Sequence, residues 1–485
     1  MGQHSRRRTL SPAFVTSRGS DRRHALRMLL FNGAFWSAGN GLTSGAVIYY
    51  LAFKLGATGS DIGWILAAPA LVGLLRMFSP QLIRFFGSAR RTCLLAWGVS
   101  YAIVWGIPLL AMPAMQLSNG TTGVSALIVV LALHQLMEYV GVVGFWAWAA
   151  DLVPSRVRGR FFARRVRWQI AALAPTLLLS GWFVDAWQQH LTAGSSSNAA
   201  WAYVIATSIG AVLLLVSLIP LIKIRISSHA KRASTESAKL TLQSQSVVGE
   251  PQPRRKVPSM GYSTAPFRDS RFLRLLAYGC FVAIANGITQ SAQNYANKAY
   301  GISLGTLAAM RISMLLGQFG VSGPLGKLSD RLGNRPALIL CQAVVALGPM
   351  FYLLASPEHP WWIWGAWIAW AAFAGLNIGL PNLMLKLGGE SKAAYIATYF
   401  AISGLIYAIA TIAGGYVFDE LREQEAWTFG RYLMPAERVL FFCGWVLRSA
   451  GVVFLIVLIE PGAVRWKDWL SRRFGRNAPK APIPS

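Results

Sequence analysis

Carboxylates are scarce in this chain: 18 Asp and Glu residues stand against 46 Lys and Arg residues in 485, giving a formal net charge of +28. Histidine (6) and cysteine (4) are also rare, and their spacing suits no metal site. The long apolar stretches hold no paired carboxylates and no His-x-x-x-His, and no Gly-x-x-x-x-Gly-Lys-Ser/Thr loop is present to cradle phosphate. The sequence therefore predicts no enzyme active site, no metal, no other cofactor and no ATP-driven activity.

Apolar residues, by contrast, make up 54% of the chain and charged residues only 13%, and the charges are bunched between long uncharged stretches. A membrane-spanning helix needs about 20 mostly apolar residues, and a soluble core does not explain many such stretches in succession. Twelve of them lie at 27–53, 61–79, 92–115, 124–150, 169–187, 200–222, 271–296, 304–325, 337–355, 361–385, 396–418 and 436–460. We expect an all-α membrane protein with twelve transmembrane helices.

The positive charge follows the membrane topology. If both termini are cytoplasmic, 38 Lys and Arg residues, Arg27 included, fall in cytoplasmic segments, and the outside loops hold only Lys54, Lys298, Arg422 and Arg431. This positive-inside bias predicts a multi-pass protein of the cytoplasmic membrane, with its basic segments against anionic lipid headgroups. A nucleic-acid partner is not needed to explain the charge, and we expect a monomer.

The chain divides into two halves. We expect a basic cytoplasmic N-terminus (1–26), a first six-helix bundle (27–222), a flexible Ser- and Pro-rich cytoplasmic linker (223–270), a second six-helix bundle (271–460) and a basic tail (461–485). Internal matches support the division. Asn40-Gly41-Leu42-Thr43 corresponds to Asn286-Gly287-Ile288-Thr289, and Gly181-Trp182-Phe183-Val184-Asp185 to Gly415-Tyr416-Val417-Phe418-Asp419. Matches in the same order predict two related halves.

Two connections resemble those of a known family. Residues 323–335 (GPLGKLSDRLGNR) form a short cationic turn between two apolar runs, and Asp151-Leu152-Val153-Pro154 is followed by Arg158-Gly159-Arg160. Together with the twelve spans, these motifs resemble the major facilitator superfamily of transporters, of bacterial type. The resemblance implies two six-helix bundles that rock about a central cavity lined by helices 1, 4, 7 and 10. It names no substrate.

The resemblance also implies a cytoplasmic gate. Asp330 would hold the second half's cytoplasmic ends together in one conformation, with Lys386 or Arg335 as its partner. In the first half Arg84 stands where the second half has Asp330. There Asp151 could pair with Arg84 instead, with the charges exchanged between the two loops. The predicted gate residues are Asp330, Arg331, Arg335, Gly326, Gly333, Arg84, Asp151, Arg158 and Arg160.

Polar residues inside the spans predict the cavity. Carboxamides on one helix face must meet protein or water, because lipid does not solvate them. The candidates are Asn286, Gln290, Gln293, Asn294 and Asn297 in helix 7, Asn32, Asn40 and Thr43 in helix 1, and Trp367, Trp370 and Asn377 in helix 10. Interhelical hydrogen bonds by the amides, and packed tryptophans, are the alternatives.

Helix 4 adds a titratable pair, His134 and Glu138, one turn apart on one face. A carboxyl in mid-membrane is costly when charged, and proton-coupled transporters use such a group. The alternative is a static ion pair of Glu138 with Arg76 or Arg311. We expect a secondary active transporter of a small organic solute that works by alternating access, with proton symport or antiport left open. An exporter of amphipathic compounds and a non-transporting sensor with the same fold are the other readings.

Overall fold

A computed structural model of the protein describes residues 19–43, 45–73, 83, 85–113, 120–153, 158–191, 196–224, 265–388, 392–424, 427–429 and 432–460. The expected N-terminal segment up to residue 18, most of the linker and the C-terminal tail lie outside these residues. The described part is almost entirely helical. The boundaries of the predicted segments at residues 27, 222, 271 and 460 therefore stay predictions.

In chain order, the helices are α1 (Gly19–Thr43), α2 (Ala46–Lys54), α3 (Gly59–Gly73), α4 (Ala89–Val104), α5 (Gly106–Ala111), α6 (Gly120–Leu152), α7 (Arg158–Leu191), α8 (Ser196–Lys223), α9 (Ala265–Arg268), α10 (Ser270–Gly287), α11 (Gln290–Ala299), α12 (Leu304–Leu332), α13 (Asn334–Leu354), α14 (Trp362–Ala369), α15 (Phe373–Leu387), α16 (Lys392–Glu423) and α17 (Ala436–Val457). A 3-10 turn, Trp370–Ala372, joins α14 to α15. One antiparallel pair, β1 (Trp427–Phe429) and β2 (Tyr432–Met434), precedes α17, so the expected all-α fold carries one small hairpin.

The helices are those of a multi-pass membrane protein. Among the described residues, ten helical segments are long and apolar enough to cross a membrane. The α1–α2 pair and α3 stand at the other two predicted spans, which completes the expected twelve. Many large apolar side chains point outward, including Trp182 at 68%, Phe319 at 69% and Ile368 at 62% exposure. Exposed apolar surface of this extent needs a lipid solvent.

Several spans are broken in the middle. Span 1 changes from α1 to α2 around Gly45, whose φ of 64° is the left-handed conformation that glycine adopts without steric cost. Span 7 breaks between α10 and α11 at Ile288 and Thr289. Breaks inside a membrane are tolerated where the backbone lines a cavity or is covered by protein. The two broken spans occupy equivalent places in the two halves.

Each half packs around its own core. In the first half α1 packs against α7 and α8, and α4 against α6; in the second, α10 packs against α16, and α13 against α17. Among the described residues, the halves meet most extensively through α3 with α16 and α7 with α12, and also through α3 with α11 and α2 with α12. Two bundles joined by a few helix pairs can move against each other as units.

The structure corrects the expected turn at 323–335. Helix α12 continues to Leu332, so most of this stretch is its last turns, and the chain reverses at Gly333, with φ of 94°. The Asn334 amide N–H and side chain then meet the carboxylate of Glu460, which binds the start of α13. The glycines of this stretch predict a loop, but a glycine costs a helix only about 1 kcal/mol relative to alanine and does not by itself end it. Gly323 and Gly326 lie within α12 with open space around them.

Candidate functional site

A cavity of about 500 Å³ lies between the two halves. The first half contributes the break in span 1 together with side chains of α3, α6 and α7: Gly45, Ala46, Val47, Tyr49, Leu66, Gln135, Leu177 and Ser180. The second half contributes α11, the first turns of α12, one residue of α14 and one of α16: Gln290, Gln293, Asn294, Asn297, Leu304, Leu307, Ala308, Arg311, Met314, Trp367 and Tyr407. This volume suits a small organic molecule.

Carboxamides form one wall of the cavity. Gln290, Gln293, Asn294 and Asn297 follow each other on α11 at helical spacing and all line it. Asn294 donates to the carbonyl of Gln290 at 2.9 Å, and Asn297 accepts from the hydroxyl of Tyr352 at 3.0 Å. These bonds hold the two asparagines in place. Four carboxamides offer both donors and acceptors to a polar solute.

The two deeper tryptophans of span 10 have different surroundings. Trp367 lines the cavity. Trp370 is buried in the core of the second half, stacked on Tyr352 with ring centroids 6.0 Å apart and pressed against Gly348. A methyl at Gly348 would come within 2.0 Å of the Trp370 indole nitrogen. The prediction that Trp370 lines the cavity is therefore corrected: its ring fills a packing gap.

The span 1 candidates also face protein. Asn32 is fully buried, donates to the carbonyl of Ser217 at 3.0 Å and accepts from Arg165 at 3.3 Å. Asn40 donates to the carbonyl of Trp36, and Thr43 to that of Gly39. None of the three predicted residues lines the cavity. Asn32 thus takes the interhelical role left open above, whereas these bonds of Asn40 and Thr43 lie within α1 itself.

Two further predicted residues lie apart from the cavity lining. Asn286 sits on α10, before the break in span 7, so it does not share the face of the α11 carboxamides. Asn377 on α15 is exposed. Because the helix is interrupted between α10 and α11, a count of 3.6 residues per turn does not carry across the break. Asn286 therefore falls on a different face from the α11 carboxamides.

Glu138 lies inside the first half in a chain of hydrogen bonds. Its carboxylate accepts from the indole N–H of Trp36 at 2.8 Å and lies 3.3 Å from Nε2 of His134. The other ring nitrogen of His134 is 2.7 Å from the hydroxyl of Ser100. Both His134 and Glu138 are buried. The partner of Glu138 is thus His134, in place of Arg311, and Arg76 lies outside the described residues.

Gln135, the residue after His134 on α6, lines the cavity. Arg311, from α12, is the one charged residue of the lining that the structure describes. Its guanidinium lies against the break in span 1, where a methyl at Gly45 would come within 2.6 Å of Nη1. The cavity thus holds one positive charge.

Two carboxylates close one end of the cavity. Asp185, near the end of α7, accepts from the backbone N–H groups of Leu304 and Gly305 at 3.2 and 2.8 Å. Asp419, near the end of α16, accepts from those of Gly59 and Ser60, both at 2.7 Å. Each carboxylate thus binds the unsatisfied N-terminus of a helix in the opposite half. These are the last residues of the repeated five-residue motifs.

The glycines of the same motifs bring the helices into contact. A methyl at Gly181 would come within 2.6 Å of the Gly305 Cα, and one at Gly415 within 2.5 Å of the Gly59 carbonyl oxygen. The hydroxyl of Tyr50 donates to the carbonyl of Ile302 at this end too. The first and last residues of each motif therefore act together: the glycine allows the approach and the aspartate binds the helix that approaches.

The predicted cytoplasmic gate is only partly visible. Arg84 lies outside the described residues, as do the side chains of Asp330, Asp151, Arg158 and Arg160. Arg331 is exposed, and Gly326 lies in α12 with open space around it. The two predicted partners of Asp330 are engaged elsewhere: Lys386 pairs with Glu460 at 2.6 Å, and Arg335 donates to the carbonyls of Leu455 and Ile456.

Glu460 thus takes the central position at this end of the second half. Burial opposes its ionisation, but the hydrogen bonds from Lys386 and from the Asn334 and Arg335 backbone together outweigh burial and lower the pKa of Glu460. All of these partners belong to the second half. The ionised Glu460 consequently holds the starts and ends of three helices within one bundle.

Sequence reasoning missed several cavity residues, namely Tyr49, Gln135, Ser180 and Tyr407. Gln135 had a usable signal, since an amide inside a span must be satisfied by protein or water. The tyrosines gave none, because isolated tyrosines occur throughout apolar spans. The repeat ending in Asp185 and Asp419 was visible, but its role depends on which helices meet.

The model of the Major Facilitator Superfamily matches residues 29–415 of the chain. Among solved structures, the chain resembles nucleoside transporter NupG (TM-score 0.58, 11% identity, 90% of this chain and 98% of that one). It also resembles a D-xylose-proton symporter (TM-score 0.60, 13% identity, 90% and 98%) and a bacterial homolog of the human lysosomal transporter Spinster, in an inward-facing conformation (0.58, 14%, 91% and 96%). At such identities the likeness concerns the fold. No curated protein matches the sequence.

Proposed function

Because the chain belongs to the Major Facilitator Superfamily, we propose that it is a secondary active transporter of a small polar organic solute that works by alternating access. The observation that carries the proposal is the cavity between the halves, lined from both sides and closed at one end by Asp185 and Asp419. A packed scaffold or sensor has no need for a carboxamide-lined space at the interface between its halves. The chain would act on the solute by binding and release, without a chemical reaction.

The orientation follows from the distribution of positive charge. The segments that carry most of the Lys and Arg would face the cytoplasm, and the Asp185 and Asp419 end would then face outside. At the other end of α12, Gly320, Gly323 and Gly326 have open space around them, whereas Gly305 near its start touches Gly181. The structure would accordingly be an inward-facing state. We expect a monomer surrounded by lipid with anionic headgroups.

Proton coupling would use the chain of hydrogen bonds from Ser100 through His134 to Glu138. Glu138 is buried, and no Lys or Arg among the described residues forms an ion pair with it. A buried carboxylate of this kind is costly to keep charged, so binding a proton would be coupled to the conformation of the surrounding helices. Gln135, next to His134 in the sequence, would transmit solute binding to these hydrogen bonds.

The test is uptake by proteoliposomes of uridine, D-xylose, dialanine and D-glucuronate, each with and without an inward proton gradient. We expect gradient-dependent accumulation of at least one solute, and loss of the gradient dependence in Glu138→Gln. Glu437→Gln is the matched control, because Glu437 is a buried carboxylate of the second half that lies outside the cavity lining. If no solute crosses under any gradient, the transport proposal fails. If gradient-driven uptake survives Glu138→Gln unchanged, Glu138 is not the coupling group.

A further inference from the structure

We propose that the transported solute is a small organic monoanion whose carboxylate is bound by Arg311. The inference rests on the proposed transport function and names the chemical class that the cavity would accept. Arg311 lies on α12 and is half-buried in the cavity wall. Within the part of the chain that the structure describes, no carboxylate lines the cavity, and Arg311 has no hydrogen-bond or ion-pair partner.

A cation in this position is costly without an anion. Removing a guanidinium from water loses its hydration, and this loss is offset when an opposite charge binds in good geometry. The planar guanidinium presents parallel N–H donors that match the two oxygens of a carboxylate. A solute carboxylate would therefore supply what the protein itself does not place in the cavity.

The backbone around Arg311 adds positive potential. Helix α2, nine residues long, begins at Ala46 without a side-chain cap, and its first residues line the cavity together with Gly45. The first N–H groups of a helix carry partial positive charge and lack partners inside the helix. Arg311 Nη1 lies against Gly45. The guanidinium and the start of α2 thus act on the same part of the cavity.

A second pocket, of about 380 Å³, lies beyond the closed end and has the same sign of charge. Lys54 and Lys298 line it, together with Asp185, whose oxygens are already bound to the start of α12. Leu304 lines both spaces, so it forms part of the wall between them. Cations on both sides of this wall would favour an anion along the whole route.

The rest of the lining defines the remainder of the solute. The α11 carboxamides and Gln135 offer donors and acceptors, and Trp367 offers a flat apolar face. A body with hydroxyl or amide groups satisfies these residues. Since the described lining holds a single cation, one negative charge is neutralised and a second would remain unpaired.

The experiment measures binding to the purified full-length protein in detergent by thermal stabilisation at increasing ligand concentration. The probes are matched pairs that differ only in charge: D-glucuronate with D-glucuronamide, and N-acetyl-L-glutamine with its C-terminal amide. D-glucosamine serves as a cation and glucose 6-phosphate as a dianion. In the wild type we expect at least one carboxylate to bind about tenfold more tightly than its amide.

Arg311→Gln should remove that preference, and Arg311→Lys should retain part of it, because lysine keeps the charge but loses the planar fork. Arg438→Gln is the matched control: Arg438 lies on α17, donates to the carbonyl of Ala355 and is not part of the cavity lining. This control should bind like the wild type. A common unfolding temperature without ligand will show that the variants fold.

The inference is overturned if the amides, the cation or the dianion bind best, if no carboxylate binds, or if Arg311→Gln keeps the wild-type preference. The outcome is separable from the transport proposal. Uptake of a neutral solute with no carboxylate binding would leave a transporter with a different substrate class. Arg311-dependent carboxylate binding without uptake by proteoliposomes would leave the binding site and refute transport.

Discussion

Replacing the two carboxylates that join the halves should open the end that they close. Asp185 and Asp419 each accept two backbone N–H groups from a helix of the opposite half. These bonds would be broken if that end opened. The variants Asp185→Asn, Asp419→Asn and the double variant therefore change the equilibrium between closed and open forms more than they change the stability of either half.

The magnitude follows from the number and kind of bonds. Capping a helix N-terminus contributes about 0.5–2 kcal/mol, and a hydrogen bond to a charged group about 1.5–3 kcal/mol. Asparagine keeps one acceptor oxygen, and the wild-type carboxylate regains water when the end opens, so we expect a loss of about 1 kcal/mol per site. Each single variant should raise the open population about fivefold, and the double variant about thirtyfold if the sites are independent.

A single cysteine at Leu304 reports this opening. Leu304 is 2% exposed and separates the cavity from the pocket beyond it. In a background without the four native cysteines, Leu304→Cys should react with a membrane-impermeant maleimide only in the open form. When opening and closing are fast compared with alkylation, the reaction rate is proportional to the open population.

Asp61→Asn is the matched control. Asp61 is a carboxylate at the start of α3, the helix that Asp419 binds, but among the described residues it accepts only from Thr58, in its own half. This variant should alkylate at the wild-type rate. The reasoning is refuted if Asp185→Asn and Asp419→Asn react no faster than Asp61→Asn, or if all three accelerate alike, because the effect would then concern helix capping in general.

Three further variants test other parts of the structure. Gly181→Leu should accelerate the same alkylation, because the added side chain meets the Gly305 backbone. An unchanged rate would mean that this close contact does not help to hold the end closed. Gly333→Ala should destabilise the purified protein by about 1–3 kcal/mol, since its φ of 94° is strained for alanine, whereas Gly326→Ala in the helix should be neutral or stabilising in the same thermal unfolding experiment. Because the pKa of Glu460 is lowered in the fold, ionised Glu460 stabilises the folded protein above the ordinary glutamate pKa, and this stabilisation is lost as pH falls through the folded value. The difference in unfolding free energy between wild type and Glu460→Gln should therefore vanish in acid. A difference that persists there would contradict the lowered pKa.

The spans and their pairing into two halves were accessible from the sequence for a physical reason. Span length and apolar content are local properties fixed by the thickness of the bilayer. Periodicity also groups Gln290, Gln293, Asn294 and Asn297 on one face, and in the structure they belong to one unbroken helix and line the cavity. Their role in binding stays a prediction.

The sequence-based predictions fail where the local pattern of residues does not determine which helix packs against which face. Asn32 looked like a cavity residue but bonds to Ser217 and Arg165 inside its own half, because the sequence does not show which face of span 1 meets which helix. Trp370 lies one turn after Trp367, yet it packs against Gly348 and Tyr352 while Trp367 lines the cavity. Periodicity identifies a polar face, whereas the identity of the neighbour depends on helix packing over long sequence distances.

The contacts between the halves favour one direction of movement. The hydrogen bonds described here between the halves all lie at the Asp185 and Asp419 end, while Glu460 at the other end binds only residues of its own half. Rotation of one half against the other would therefore break the two caps and leave the Glu460 cluster intact. A state open at the first end then needs new contacts at the second to compensate for the lost bonds. The predicted gate residues Asp330 and Asp151 lie at that second end, where such contacts would have to form.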